Sequence, residues 1–153
     1  MALNPDLVGR QYPPSPVYVV GREKVREFAA AINDTNPLST DLDAARAAGF
    51  ADLVAPPTFA FVITHVAMGN AMFDPDLGLD YTRVVHGEQR FEYHRPLVAG
   101  DEVTVVAMIT SIRAAAGNDM LTLRSDVLDP AGDVIVSTHS VIVARGTGSK
   151  EAA

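Results

Sequence analysis

Asp34-Thr35-Asn36-Pro37-Leu38-Ser39 sets a carboxylate, an amide and two hydroxyls around one proline. Asp34 is a candidate general base. The same run is also strong turn chemistry, because Asp and Asn side chains bond their own backbone two residues on. A second segment, Val85-His86-Gly87-Glu88-Gln89, holds an imidazole. His86 carries the one side-chain type that ordinarily titrates near neutrality. Asp34 and His86 are therefore the candidate catalytic residues; the bland alternative for His86 is a strand-end histidine bonded to backbone. Two-residue alternation along a strand predicts that Glu88, not Gln89, shares the direction of His86. Pro56-Pro57-Thr58-Phe59 opens an apolar helical run. The free N–H groups there, of Thr58 or Phe59, can face a developing negative oxygen. Asn36, Ser39, Thr58, Phe59 and Glu88 are the candidate substrate contacts, with Asn36 equally suited to holding its loop.

The other histidines carry less. His65 lies mid-helix among apolar residues, where a buried imidazole bonded to a backbone or side-chain partner is expected. His94 precedes Arg95-Pro96 and is expected near the surface, and His139 falls in a strand. These four histidines form no spaced cluster and there is no cysteine, so no metal ligand set, thiolate nucleophile or disulfide is expected. No glycine-rich phosphate loop and no Gly-x-Ser-x-Gly elbow occurs. No cofactor is implied.

The elements that must position these groups follow from periodicity. Arg22–Ile32 places Val25, Phe28, Ala29 and Ile32 on one helical face. Asn36-Pro37 ends helical continuation. Asp41 or Asp43 can cap a short helix ending at Gly49. Thr58–Phe73 is apolar nearly all round, which predicts burial in the middle of the fold. Strands are expected over 84–94, 103–112, 121–128 and 134–143, with turns at Gly100-Asp101, Gly117-Asn118-Asp119 and Asp129–Asp133. One buried helix followed by long antiparallel strands predicts an α+β domain with a sheet curled around the helix.

The chain has 153 residues, 48% hydrophobic and 20% charged, which suits one globular domain over 1–145 with a fraying tail from 146 to 153. Its formal charge of -7 argues against phosphate-driven nucleic-acid binding. The first residues show no signal-peptide pattern, and no run reaches the ~18–20 apolar residues of a membrane span. A cytoplasmic setting without membrane attachment is the expectation.

Two segments carry a resemblance. Asp34-Thr35-Asn36-Pro37-Leu38-Ser39 resembles the Asp-x-Asn-Pro-x-His motif of MaoC-like (R)-specific hydratases. Phe91-Glu92-Tyr93-His94-Arg95-Pro96-Leu97-Val98-Ala99-Gly100-Asp101 resembles the strand and turn shared by hot-dog dehydratases. With the intervening helix and Leu53–Phe59, the likeness runs from about Val8 to Ala144. It is strongest to the non-catalytic subunits of the mycobacterial (3R)-hydroxyacyl-ACP dehydratases.

The resemblance implies a hot-dog fold, an antiparallel sheet wrapped around a long central helix. It also implies reversible dehydration of a (3R)-hydroxyacyl thioester carried on CoA or acyl carrier protein. Two departures from the motifs matter. Ser39 stands where the catalytic His is expected, and a hydroxyl cannot replace an imidazole near neutral pH. Pro56-Pro57 stands where catalytic members have His-Gly, and proline has no N–H. The chain is therefore expected to form the acyl channel with a catalytic MaoC-like partner and to be weak or inactive alone. The alternatives are a non-catalytic homodimeric acyl-binding or scaffold protein, and a self-sufficient homodimer using Asp34 with His86. An exposed edge at the strand over 84–94 predicts sheet-to-sheet pairing, as a homodimer when alone. Acyl chain length and the choice of carrier are not legible in the residues.

Overall fold

In the computed structural model the described residues are 2–147. Of the expected tail, only Gly146 and Thr147 fall among them; the remainder lies outside the described residues. Chain order is β1 (Tyr18–Val19), α1 (Arg22–Ala31), α2 (Leu42–Ala47), α3 (Ala60–Met72), β2 (Val84–Tyr93), β3 (Glu102–Ala115), β4 (Asn118–Leu128) and β5 (Val134–Ala144). The strands form one antiparallel sheet in the order β1-β3-β4-β5-β2.

Local chemistry explains the boundaries. Asp41 caps α2, its carboxylate accepting from the N–H groups of Asp43 and Ala44. The β3–β4 turn is Ala116-Gly117, both at positive φ (50° and 76°), as a tight hairpin demands. Asn118 and Asp119, expected in that turn, already belong to the strand. Two residues earlier in the register suffice to reverse the chain once both turn residues enter the left-handed region.

The core has two lobes on either side of the inner face of α3. Ala60, Ile63 and Ala67 join Phe59, Leu53, Val105 and Val136 in one. Met68 and Ala71 join Leu77, Ile109, Leu121 and Ile142 in the other. Small residues on this face let the helix approach the sheet closely, while branched strand residues fill the space. Phe59, fully buried, meets Phe28 edge-on at 5.4 Å, pinning α1 to the start of α3.

Within the single chain α3 is not buried on every side. The sheet covers one side, leaving Val66 64% and Phe73 68% exposed. Nor do the two edges of the sheet match. Along β3 the preceding segment adds hydrogen bonds, from Gly9, Tyr12 and Ser15 N–H to the carbonyls of Ile109, Ala107 and Val105. On the other side, β2 pairs only with β5, so its outer edge is open among the described residues.

The covering segment is locked by Tyr12, whose hydroxyl donates to Asp74 at 2.8 Å, with Arg10 adding a 2.7 Å ion pair to the same carboxylate. Burial, then the bond to Asp74, pushes the Tyr12 hydroxyl up to about 12. The bond from Tyr12 is also the main cause holding the Asp74 carboxyl below its ordinary value. Tyr12→Phe is expected to cost about 1 kcal/mol in urea denaturation at neutral pH. A depressed Asp74 adds stability above its unfolded pKa and loses it as pH falls through the folded one. Wild type should therefore lose more stability than Tyr12→Phe on acidification below about pH 4.

Candidate functional site

Three of the expected site residues belong to the loop after α1, and there they build structure. The Asp34 carboxylate accepts from Asn36 N–H at 2.9 Å, and the Asn36 side chain accepts from Leu38 N–H at 3.1 Å. These successive Asx turns cap the short 3-10 turn Pro37–Ser39. Ser39 is 2% exposed, and its hydroxyl donates to the carbonyl of Val54 at 2.7 Å. That bond fastens the loop to the segment leading into α3. A hydroxyl so held has a structural partner and no part in proton transfer.

Asn36 and Ser39 line a cavity of about 340 Å³ with Pro56, Pro57 and Tyr93. Tyr93 donates its hydroxyl to the Pro57 carbonyl at 2.6 Å, and burial pushes it up to about 12. It stays protonated at neutral pH. Arg95, at the rim, is clamped in two hydrogen bonds by Asp101. Asp34 does not line this cavity, and no carboxylate does.

His86 lies elsewhere, in the groove between α3 and β2. Its ring packs 5.4 Å from that of Phe61, and Nε2 donates to the Glu88 carbonyl at 3.0 Å. Asp34 and His86 line no common cavity and share no contact, so the fold does not unite them as a pair.

The direction expected for Glu88 is reversed by a β-bulge. His86 pairs with Ile142 and Glu88 with Val141, leaving Gly87 as the extra residue. A bulge of one residue shifts the alternation by one. His86 and Gln89 consequently share the inner face, and Glu88 faces outward with Arg90 and Glu92. A Cβ at Gly87 would lie 3.1 Å from the Val143 side chain and 3.4 Å from the Val141 carbonyl, so any larger residue there needs Val143 to give way by a few tenths of an ångström.

Sequence reasoning passed over Gln89, which is the polar group best placed in the groove. Ser140, fully buried, donates to Gln89 Oε1 at 2.6 Å. That bond fixes the amide's orientation and leaves Gln89 Nε2 buried without a partner. An unmet buried donor costs about 1–3 kcal/mol. The hydroxyls of Thr64 and Ser125 also lack partners but line none of the cavities. Gln89 does, in a space of about 420 Å³ shared with Phe28, Thr58, Phe61, His86 and Phe91. The only sequence signal was its place next to Glu88, and reading it needed the bulge.

At the start of α3 the two candidate amides part ways. Phe59 N–H donates to the Pro56 carbonyl at 2.9 Å, and its side chain belongs to the core. Thr58, which lines the same cavity as Gln89, has an N–H that no backbone carbonyl takes. His65 bonds the carbonyls of Phe61 and Val62, as a satisfied histidine would, but is exposed rather than buried. His94 is exposed. His139 reaches Glu92 on the outer face. No cluster able to hold a metal ion occurs among the described residues, and no helix there is long and apolar enough to cross a membrane.

Comparison with known proteins follows this geometry. Residues 6–138 match the family described as FAS1-like, dehydratase domain region. A UPF0336 protein of Streptomyces griseus is 54% identical over 145 residues, 95% of this chain and 97% of that one. Among solved structures, a MaoC-like dehydratase superposes with TM-score 0.83 at 36% identity; it covers 91% of this chain, which spans only 42% of that one. The C-terminally truncated HadBC (3R-hydroxyacyl-ACP dehydratase) complex from Mycobacterium tuberculosis gives TM-score 0.81 at 28% identity, over 90% of this chain and 97% of that one. The sheet curled on a central helix is the hot-dog arrangement of these neighbours.

Gly87→Ala is expected to lower stability by about 1–3 kcal/mol through overpacking against Val141 and Val143. Urea denaturation measures the loss, and amide hydrogen exchange should place the loosening in β2 around 86–89.

Proposed function

The chain belongs to the FAS1-like dehydratase-region family, and on that footing we propose that it is the acyl-binding half of a (3R)-hydroxyacyl-thioester dehydratase, or enoyl-thioester hydratase, of fatty-acid metabolism. A separate MaoC-like chain supplies the acid and base. The observation that carries this reading is that a cavity is built while an acid–base pair is not. Ser39 spends its hydroxyl on Val54, and Asp34 gives one carboxylate oxygen to a turn and shares no cavity with His86.

Dehydration needs a base at C2, an acid at the departing hydroxyl and donors at the thioester carbonyl. The groove between α3 and β2 offers the third requirement. Gln89 Nε2 is a neutral donor in want of an acceptor. A carbonyl oxygen satisfies it without any proton changing hands. The remaining walls, Phe28, Phe61 and Phe91, suit an alkyl chain. CoA and acyl carrier protein present the same phosphopantetheine arm, so either carrier fits, and a cytoplasmic enzyme would meet both.

The second domain has a surface to use. The open edge of β2 can extend the sheet into a partner, and Val66 and Phe73 leave the outer side of α3 apolar. A homologous catalytic chain closes the groove there. When alone, a second copy takes the same place under a two-fold axis.

Hydration of crotonyl-CoA and longer enoyl-CoA, followed with the chain alone and with a co-expressed MaoC-like chain bearing Asp-x-Asn-Pro-x-His, decides the matter. Turnover is expected only with both chains. Full turnover by this chain alone would refute the division of labour. Binding without turnover in either preparation would favour a homodimeric acyl-binding protein. In the active complex, Gln89→Leu should lower kcat/KM by about tenfold, the loss expected from one hydrogen bond of about 1.4 kcal/mol.

A further inference from the structure

The groove between α3 and β2 holds two cavities in series. The first, of about 420 Å³, touches Thr58 and Phe61 on the helix side and Phe91, Gln89 and His86 on the strand. The second, of about 490 Å³, touches Phe61, Met68 and Met72 on the helix and His86, Val85 and Val84 on the strand. Helix numbers rise and strand numbers fall from one to the other. Phe61 and His86 line both, and so form the waist between them.

Each waist residue is held from its far side. Phe61 stacks on His65 at 5.8 Å and an interplanar angle of 26°. His86 is tied through Nε2 to the Glu88 carbonyl across the bulge. The two rings face one another at 5.4 Å and 58°. Gln89 Nε2, a buried donor without a partner, belongs to the first cavity. The second is walled largely by apolar groups, among them Met68 and Met72, whose unbranched side chains adapt to differing shapes. A linear ligand can set an acceptor at its head against Gln89 and run an alkyl tail past the waist.

We propose that Phe61 and His86 set the acyl-chain length this protein accepts, the first cavity receiving the thioester end and the second receiving whatever tail passes the waist. The proposal rests on the acyl-thioester reading above. A short chain ends before the rings. A long one must displace the Phe61 ring, which adds a cost that rises only beyond the waist.

The test uses the complex with the co-expressed catalytic chain, wild type and two variants, each first checked for folding by circular dichroism. With the motif His of the catalytic chain replaced by Ala, so that the thioesters are not turned over, isothermal calorimetry gives dissociation constants for crotonyl-, octenoyl- and dodecenoyl-CoA. Phe61→Leu, which widens the waist, should raise the preference for dodecenoyl- over crotonyl-CoA by about tenfold. Phe61→Trp, which narrows it, should lower that preference by a similar factor. A general packing role would not move the two variants in opposite directions. Intact crotonyl-CoA binding with an unchanged preference in whichever variant folds overturns the waist and leaves the acyl-binding reading standing. An equal loss at every length overturns it as well. Should wild type bind none of the three thioesters, both the waist and the reading beneath it fall.

Discussion

One sheet cannot cover a helix that is apolar on every side. In this chain α3 turns Ala60, Ile63, Ala67 and Ala71 to the strands, and the close approach they permit forms the core. That approach also leaves the opposite side, with Val66 and Phe73, in water. Removing such surface from water is favourable by roughly 25 cal/mol per Å². The two edges of the sheet differ. Residues 9–15 run along β3 and occupy its hydrogen-bonding groups, whereas β2 keeps its outer edge open. The open edge and the bare helix side belong to the same end of the molecule, because both border the groove.

The groove depends on one extra residue. Without the bulge at Gly87, His86 and Glu88 would share a face and Gln89 would point outward. The groove would then be lined by a carboxylate in place of an amide. With the bulge it holds a neutral amide locked by Ser140 and an imidazole locked by the Glu88 carbonyl. Glycine makes this possible by lying against Val143 and Val141 where no Cβ fits without displacement.

The loop after α1 shows the reverse economy. Asp34, Asn36 and Ser39 retain the geometry of a site loop through their own hydrogen bonds. Each gives one hydrogen bond to the backbone, and together these bonds fix the turn and tie it to the segment that leads into α3.

Periodicity alone located α1, α3 and the four long strands, since 3.6- and 2-residue repeats are local properties of the chain. Asp41 as a cap and the loss of imidazole at Ser39 were equally legible, being matters of residue type. Three things were not. The face of Glu88 was misjudged because a bulge is imposed by the neighbouring strand. Phe59 looked like a ligand contact because its helix-end position was visible, while its partner Phe28, many residues away, was not. Asp34 and His86 looked like a pair because composition cannot measure separation. Residue identity and local repeat determine which chemistry the chain carries. Only tertiary packing decides which of those groups face one another, because facing depends on register and on contacts between segments far apart in sequence.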